Sequence, residues 1–252
     1  MEAMILAAGA GTRLRPLTDR VPKALVEVGG RPLLAWVLDR LVSAGANRII
    51  VNTHYHEDQI RAFLRDNAPR DVETVISPEP DGPYDTGGGL FAAASLFRED
   101  RPFLLHNVDV LSAIPLDELL AAHHEAKARR GNKLVASLAV QAREATRQLL
   151  FDDLGLMGWQ NRGSDRALEG SQQVREPVGE LKRRSFTGIH VVEPNIFRLS
   201  DRTGTFSIVM LYLELAALGH IILPIDVSAH EWIDVGTHER LEEANRLYAA
   251  RC

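Results

Sequence analysis

The chain opens on the stretch Ala3-Met4-Ile5-Leu6-Ala7-Ala8-Gly9-Ala10-Gly11-Thr12-Arg13, and Pro22-Lys23 follows shortly after it. Its apolar run, Ala3 to Ala8, predicts a buried strand, because it is short and ends in glycine. The loop that follows combines glycines with two cations, Arg13 and Lys23. Glycines let main-chain N–H groups approach phosphate oxygens closely, and both cations bind such oxygens. The stretch therefore indicates a loop that binds a polyphosphate.

Two better-known phosphate loops are excluded by the letters of this stretch. A P-loop needs Gly-Lys followed by Ser or Thr, and this pattern is absent. The dinucleotide fingerprint fails because Leu14 occupies its third glycine position, and Arg15-Pro16 is a poor start for a helix that must pack on a strand. Gly9 and Gly11 alone would fit an ordinary turn equally well. The cations at fixed spacing favour the phosphate interpretation.

The first half of the chain alternates apolar strands with amphipathic helices, which predicts a Rossmann-like, doubly wound, mostly parallel α/β sheet. The predicted elements after the first strand are strands at Arg48 to Asn52, Val72 to Ile76 and Pro102 to His106, and helices at Pro32 to Ala44, His56 to Arg65 and Gly87 to Phe97. Ligands of such sheets bind at the carboxyl ends of the strands. We therefore expect the Gly9 loop to meet Asn107-Val108-Asp109 at one edge.

The second half of the chain changes to β-rich patterns after a helix at about Leu116 to Arg129. The predicted elements are strands at Leu134 to Val140, Gln148 to Phe151, Ser185 to Val192, Ile221 to Pro224 and Glu231 to Asp234, and helices at about Ser207 to Leu218 and His238 to Ala249. A polar stretch from Asn161 to Leu181 is typical of a loop. We expect a small β insertion at about residues 134–192 that covers the substrate.

Neither a linker nor a repeat divides the chain, so we expect a single domain over residues 1–252. Residues 1–110 would form its nucleotide-binding half, and residues 111–252 would form the half that binds the second substrate. A formal net charge of -5 argues against a nucleic-acid partner, which would need a basic surface.

Cysteine usage and hydropathy predict a cytoplasmic protein. The single cysteine, Cys252, rules out a disulfide framework and a cysteine metal cluster, and a reducing compartment suits it. The sequence has no run of about 18 apolar residues, so we expect no membrane partner. The opening apolar run lacks a basic leader, and we expect it to be the first strand of the fold.

The run from Leu6 to Leu25 resembles the signature of the sugar-phosphate nucleotidylyltransferases, the enzymes that make nucleotide sugars. Further matches follow in the order of that family, at Asn107-Val108-Asp109, Phe186-Thr187-Gly188-Ile189 and Trp232-Ile233-Asp234-Val235-Gly236. The segment Thr86-Gly87-Gly88-Gly89 and the short length look most like the N-acetylmuramate-1-phosphate uridylyltransferase and mannose-1-phosphate guanylyltransferase branches.

The resemblance implies a role for each matching residue. Asp109 and Asp234 would hold the catalytic Mg²⁺, although an isolated aspartate after a strand would otherwise suit a cap or a turn. Arg13 would stabilise the β and γ phosphates, and Lys23 would bind the α-phosphate and the attacking phosphate. The remaining implied contacts are Ala8, Gly9, Gly11, Thr12, Glu79, Gly87 and Gly88 for the nucleotide, and Asn107 and Gly188 for the sugar phosphate.

The implied reaction is of the EC 2.7.7 type: a sugar 1-phosphate attacks a nucleoside triphosphate, with UTP favoured, and pyrophosphate leaves. The base stays open, because a carboxylate at Glu79 can accept N–H groups from several bases. One alternative is a cytidylyltransferase that acts on phosphocholine or another non-sugar phosphate. Another is a catalytically silent nucleotide-sensing subunit, which would be expected to lack part of the Arg, Lys and Asp set that this chain retains.

Overall fold

The fold is known from a computed structural model that describes residues 1–98, 100–161 and 170–249. The strands are β1 (Glu2–Leu6), β2 (Glu27–Val28), β3 (Arg31–Pro32), β4 (Arg48–Thr53), β5 (Glu73–Pro78), β6 (Phe103–Asn107), β7 (Val110–Ser112), β8 (Leu134–Gln141), β9 (Arg147–Asp152), β10 (Gly155–Asn161), β11 (Gly170–Gln173), β12 (Lys182–Val192), β13 (Ile221–Asp226) and β14 (Trp232–Asp234). The helices are α1 (Leu33–Ser43), α2 (Glu57–Asn67), α3 (Asp85–Ala92), α4 (Leu116–Arg130), α5 (Ile208–Ala217) and α6 (His238–Tyr248).

The parallel half of the main sheet has the spatial order β6-β1-β4-β5. Successive side chains of a strand point to opposite faces. Accordingly, Ala3 and Ile5 of β1 pack in a core that includes residues of α1, α2 and α4, whereas Met4 packs in a second core that includes residues of α3 and α5. Helices therefore cover both faces of the sheet, and the predicted doubly wound α/β fold is confirmed.

The second half of the sheet is largely antiparallel and is organised around the long strand β12. One end of β12 pairs with β6, and its other end pairs with β9, so the strand connects the parallel half to the β9-β10-β11 hairpins. The bidentate contact from Arg175 to Asp152 braces these hairpins, with Nη1···Oδ2 at 2.5 Å and Nη2···Oδ1 at 2.6 Å. These strands form the predicted β insertion.

The prediction that Asn161 to Leu181 is a loop is wrong in part. Gly170–Gln173 forms β11, which pairs antiparallel with β10, because main-chain pairing in a hairpin tolerates polar side chains. Residues 162–169 of that stretch, like Cys252, lie outside the described residues. The strand β10 was not predicted from the sequence.

Two further features, the extent of α3 and the pairing of β14, differ from the predictions or add to them. The helix expected at Gly87 to Phe97 is α3, which begins at Asp85 and ends at Ala92, and a short 3₁₀ turn follows at Ala94–Leu96. The strand β14 does not join the main sheet; it pairs with the unpredicted strand β7. Within the described ranges, every helix is too short or too polar to cross a bilayer.

Candidate active site

The glycine loop after β1 is folded tightly against the segment that carries Lys23. Gly11 has a φ of 61°, and a Cβ atom there would lie 2.9 Å from Cγ2 of Thr18 and 3.1 Å from Cβ of Lys23. Thr18 Oγ1 donates to the Gly11 carbonyl at 2.9 Å. Glycine is needed here for both its conformation and its lack of a side chain. The loop thereby brings Lys23 next to the carboxyl end of β1.

Arg13 extends from the same loop toward the segment after β14. A Cβ atom on Gly236 would lie 2.8 Å from Nη2 of Arg13, so the guanidinium rests against the bare backbone of that glycine. The Trp-Ile-Asp-Val-Gly segment therefore shapes the position of Arg13 as well as that of Asp234.

Lys23 and Asp109 form an ion pair between the side-chain Nζ and Oδ2 atoms. The two side chains are only 11% and 22% exposed, so water screens this contact less than it would a surface pair. Asp109 directly follows β6 and Val108, and its carbonyl accepts a hydrogen bond from the Val235 N–H at 2.7 Å. This bond links the end of the parallel half to the β14 segment.

Asp109 and Asp234 are brought together by the small sheet of β7 and β14. In this antiparallel pair, Asp234 lies opposite Val110, the neighbour of Asp109. Both aspartates line one cavity of about 1020 Å³, which we call the aspartate cavity. Arg240 Nε donates to Oδ1 of Asp234 at 3.2 Å, so each aspartate has a cationic partner.

The two aspartates suit a magnesium ion. Mg²⁺ prefers oxygen ligands and is usually held by one or two carboxylates together with substrate phosphates and water. No group of three or more metal-ligating His, Cys, Asp or Glu residues occurs in the described part of the chain. A metal at this site would thus take its remaining ligands from substrate phosphates and water.

A smaller cavity of about 170 Å³, which we call the loop cavity, lies beside the glycine loop. Ala8 and Gly9 line it, together with Asn52 and Glu79. Asn52 Oδ1 accepts from the Ala7 N–H at 2.6 Å, and its Nδ2 donates to Glu79 Oε1 at 2.6 Å. Asn52 therefore connects three segments around this cavity. It was not predicted as a site residue, although its position at the end of a buried strand was an available signal.

Glu79 is only 1% exposed and uses both carboxylate oxygens internally. Besides the bond from Asn52, its Oε2 accepts from the Tyr84 N–H at 2.7 Å. Burial raises the pKa of Glu79 above the ordinary glutamate range, against the lowering effect of these hydrogen bonds. Its direct contact with a base stays a prediction, because the visible role of Glu79 is to hold the wall of the loop cavity.

The main-chain N–H groups of Gly87 and Gly88 are already hydrogen-bonded within the protein. Both donate to the Phe206 carbonyl, at 2.9 Å and 3.1 Å. A Cβ atom on Gly87 would lie 2.5 Å from the Phe206 ring. These glycines allow close packing of α3 on the segment before α5. A position of these two glycines beside the nucleotide stays a prediction. Thr12 is exposed and starts a 3₁₀ turn that ends at the buried Leu14.

Asn107 lies where three cavities meet. It lines the loop cavity, the aspartate cavity and a third cavity of about 460 Å³, which we call the insertion cavity because β9, β10 and β12 contribute to it. Gly188 packs against the side chain of Asn107. Gly188 has a φ of 84°, and a Cβ atom on it would lie 2.7 Å from Asn107 Nδ2. The predicted pair for the second substrate is thus in mutual contact.

Three arginines near these cavities were not selected from the sequence: Arg143, Arg147 and Arg240. Arg143 lies over the Trp232 ring, 4.4 Å from its centroid, and lines the aspartate cavity with Arg147 and Arg240. In the sequence these arginines lie in polar segments, where an arginine is usually a surface residue exposed to solvent. Only the packing of the β insertion and α6 around the site distinguishes them from other surface arginines.

Comparison with known proteins identifies the family. A nucleotidyl transferase family model matches residues 2–148. The N-acetylmuramate alpha-1-phosphate uridylyltransferase of Caulobacter vibrioides is 35% identical over 222 residues, which cover 87% of this chain and 86% of that protein. Its namesake in Neisseria meningitidis serogroup B is 33% identical over 256 residues, which cover 99% of each chain. The chain belongs to the nucleotidyl transferase family.

Solved structures agree with this assignment at the level of the fold. The inositol-1-phosphate CTP transferase from T. maritima superposes with a TM-score of 0.72 over 98% of this chain and 96% of that chain, at 18% sequence identity. The predicted family, with relatives among both the N-acetylmuramate-1-phosphate uridylyltransferases and the mannose-1-phosphate guanyltransferases, and the enzyme class of EC 2.7.7 type are confirmed by these comparisons.

Proposed function

We propose that this protein transfers a uridylyl group from UTP to the 1-phosphate of N-acetylmuramate, or of a sugar closely related to it, and releases pyrophosphate. The observation that carries the proposal is the junction at Asn107, where a glycine loop, the Lys23–Asp109 pair and Asp234 surround connected cavities. The two uridylyltransferases that match 87% and 99% of the chain support the choice of base and acceptor.

In the proposed reaction, an oxygen of the sugar phosphate attacks the α-phosphorus of UTP. A new P–O bond forms, and the bond between the α-phosphorus and the departing pyrophosphate breaks. Catalysis of this kind relies on positioning and charge stabilisation and needs no protein nucleophile. Lys23 would hold the α-phosphate and the attacking phosphate together, and Arg13 would stabilise the charge on the pyrophosphate.

Asp109 and Asp234 are the residues that would hold Mg²⁺, which when bound neutralises negative charge at the phosphates. In the described structure their carboxylates contact Lys23 and Arg240 instead. We infer that these two cations exchange carboxylate for phosphate contacts when substrate enters, because a fully charged triphosphate competes strongly for Lys and Arg.

The nucleoside would occupy the region of the loop cavity, with Ala8, Gly9, Gly11 and Thr12 along its phosphates and Glu79, Gly87 and Gly88 nearer its base and ribose. The sugar phosphate would contact Asn107 and Gly188.

We further propose that residues 1–252 act as one domain, with residues 1–110 as the nucleotide half and residues 111–252 as the sugar half. The Val235 N–H bond to the Asp109 carbonyl, which joins the two halves at the site, supports this. A cytoplasmic location is proposed too, and the use of only one cysteine in the sequence supports it.

The test is pyrophosphate release from a matrix of UTP, GTP, CTP and dTTP against the 1-phosphates of N-acetylmuramate, N-acetylglucosamine, mannose and glucose, plus phosphocholine. Each pair is measured with Mg²⁺ and with EDTA. We expect the highest metal-dependent turnover with UTP and N-acetylmuramate 1-phosphate. Preferred turnover with CTP and phosphocholine would support the cytidylyltransferase alternative, and nucleotide binding without any turnover would support the sensing subunit.

A further inference from the structure

The insertion cavity has a mostly apolar wall and an asymmetric charge. Its apolar lining includes Leu149, Trp159 and Phe186 from the β insertion and three residues at the start of α5. Among the described residues that line it, only Asp85 and Arg147 are charged acidic or basic side chains. Asp85 lies at the end shared with the loop cavity, whereas Arg147 lies at the end shared with the aspartate cavity.

Histidine does not add a second cation to this cavity. His190 lines it but is 1% exposed, and burial lowers the pKa of His190 to about 3. Its Nδ1 is 2.8 Å from the Tyr212 hydroxyl. His190 is therefore neutral at physiological pH, and Arg147 alone gives the described lining of this end of the cavity a positive charge.

Arg147 differs from the arginines around it in having no protein partner for its guanidinium among the described residues. Arg240 pairs with Asp234 and Glu243, and Arg143 lies over Trp232. Arg147 instead stands exposed at the start of β9, held in place through the main-chain pairing of β9 with β10. The first residue of β9 thus presents a guanidinium at the boundary of two cavities.

We propose that Arg147 is a specificity residue whose guanidinium binds a carboxylate carried by the sugar acceptor, so that the preferred acceptor is an N-acylated, carboxylated sugar 1-phosphate. The inference rests on the proposed function. The acceptor phosphate then lies near Asn107, which borders the same cavity, and the acyl methyl group packs against Trp159 and Phe186. Guanidinium and carboxylate groups match in geometry and form charge-assisted bidentate bonds.

The same placement disfavours other acceptors. A quaternary ammonium such as that of phosphocholine would find aromatic rings in this cavity but would be repelled by Arg147. A neutral hexose phosphate would leave the guanidinium without a partner and would gain nothing from it. Arg147 therefore separates anionic from neutral acceptors.

The experiment compares two acceptors that differ only in the carboxylated ether group, N-acetylmuramate 1-phosphate and N-acetylglucosamine 1-phosphate. For Arg147→Gln, the ratio of their kcat/KM values should shift against N-acetylmuramate by about 10- to 100-fold, the range of one hydrogen-bonded charge. The change should appear mainly in KM, because the carboxylate is remote from the reacting phosphorus. Arg183→Gln, on an exposed arginine of β12, should leave the ratio unchanged.

Equal losses with both acceptors would overturn the inference, since they would mean that Arg147 binds the phosphate that both share. An unchanged ratio would overturn it as well. Calorimetric binding of the two sugar phosphates, with a non-hydrolysable UTP analogue present, separates this inference from the proposed function. If wild type transfers to neither sugar yet binds N-acetylmuramate 1-phosphate more tightly, and Arg147→Gln abolishes that preference, then the transfer proposal fails while the role of Arg147 stands. Equal affinity of the wild-type protein for the two sugar phosphates would overturn the inference about Arg147.

Discussion

Lys23 and Arg13 are positioned at the site by different neighbouring residues. Their contributions to turnover can therefore be measured separately. Lys23 is held in the tightly packed loop by Gly11 and faces Asp109, whereas Arg13 lies against Gly236. Neither side chain belongs to a hydrophobic core. Substitutions at these positions should therefore affect turnover far more than stability.

We predict that Lys23→Ala lowers kcat by about 10²- to 10³-fold while the protein stays folded, because one preorganised group that stabilises developing charge is lost. Turnover and thermal unfolding are measured on the same preparation. Lys182→Ala, on an exposed lysine that pairs with Glu180, is the control and should keep wild-type turnover. A folded Lys23→Ala protein with near-wild-type turnover would remove Lys23 from the mechanism.

Gly236→Ala should displace the Arg13 guanidinium, because the new methyl group would lie 2.8 Å from Nη2. We expect kcat/KM to fall about tenfold, with little change in stability, since a flexible side chain can move away. A double-mutant cycle with Arg13→Ala tests the mechanism. In the Arg13→Ala background, Gly236→Ala should cost almost nothing; additive losses would show that Gly236 acts by another route.

Hydrogen bonds between buried polar groups, as well as apolar packing, hold the secondary-structure elements together. On α4, His123 is buried; its Nε2 lies 3.0 Å from Glu193 Oε1, and its Nδ1 lies 2.9 Å from the Ser137 hydroxyl. Because a carboxylate only accepts, Nε2 donates to Glu193. Lys127 Nζ donates to the other Glu193 oxygen at 2.8 Å. These bonds join α4 to β8 and to the end of β12.

Glu193→Gln should destabilise the fold by about 1–3 kcal/mol at pH 7, because an amide cannot accept from both His123 and Lys127. Burial acts to raise the pKa of Glu193, but hydrogen bonds from His123 and Lys127 lower it below the ordinary glutamate range. A carboxylate with a lowered pKa contributes stability above its unfolded pKa and loses that contribution as the pH falls through the folded value.

Chemical denaturation at pH 7, 5, 4 and 3 measures this difference. The gap between wild type and Glu193→Gln should narrow below about pH 4.3, where unfolded glutamates begin to bind protons. Glu125→Gln serves as the control on the same helix, because Glu125 is 71% exposed and should show no such gap. A gap that stays constant down to pH 3 would contradict the assigned role of the Glu193 charge.

Packing of α3 on the segment before α5 depends on Gly88. A Cβ atom there would collide with the Gly204 carbonyl, which is main chain and cannot rotate away. We expect Gly88→Ala to cost about 2–3 kcal/mol of unfolding free energy, the upper range for overpacking. Gly9→Ala is the matched control for stability, since a Cβ at Gly9 would meet nothing within 4 Å. Equal stability of the two variants would refute this packing argument.

The whole molecule brings its two halves together at the aspartates, one from each half. A ligand that binds only the folded state adds about 2.7 kcal/mol of stability at 100 times its dissociation constant. If Mg²⁺ and UTP bind jointly at Asp109 and Asp234, the two ligands together should stabilise the fold more than the sum of their separate effects.

We predict that this joint stabilisation disappears in Asp109→Asn and in Asp234→Asn, and that EDTA abolishes it in wild type. Thermal unfolding with UTP, with Mg²⁺ and with both measures it without reference to turnover. Asp58→Asn, on an exposed aspartate of α2, should retain the full effect. Undiminished joint stabilisation in both active-site variants would place the metal elsewhere.

Local patterns in the sequence were enough to predict the doubly wound sheet and the family, because both depend on features within a few residues. The apolar run ending in Gly9 and Gly11, the alternation of strands and helices, and the spacing of Arg13 and Lys23 are all local. The same patterns predicted that the Gly9 loop and Asp109 would meet, since parallel strands end at a common edge.

Contacts between distant segments depended on the tertiary structure. The small sheet of β7 and β14 sets Asp234 beside Asp109, and the Phe206 carbonyl occupies the N–H groups of Gly87 and Gly88. The orientation of Arg147 and the link through Asn52 follow from packing too. The physical reason is that the sequence around a charged residue or a glycine does not show which residue it will contact. That partner lies in a distant part of the chain, and only folding brings the two within hydrogen-bond distance.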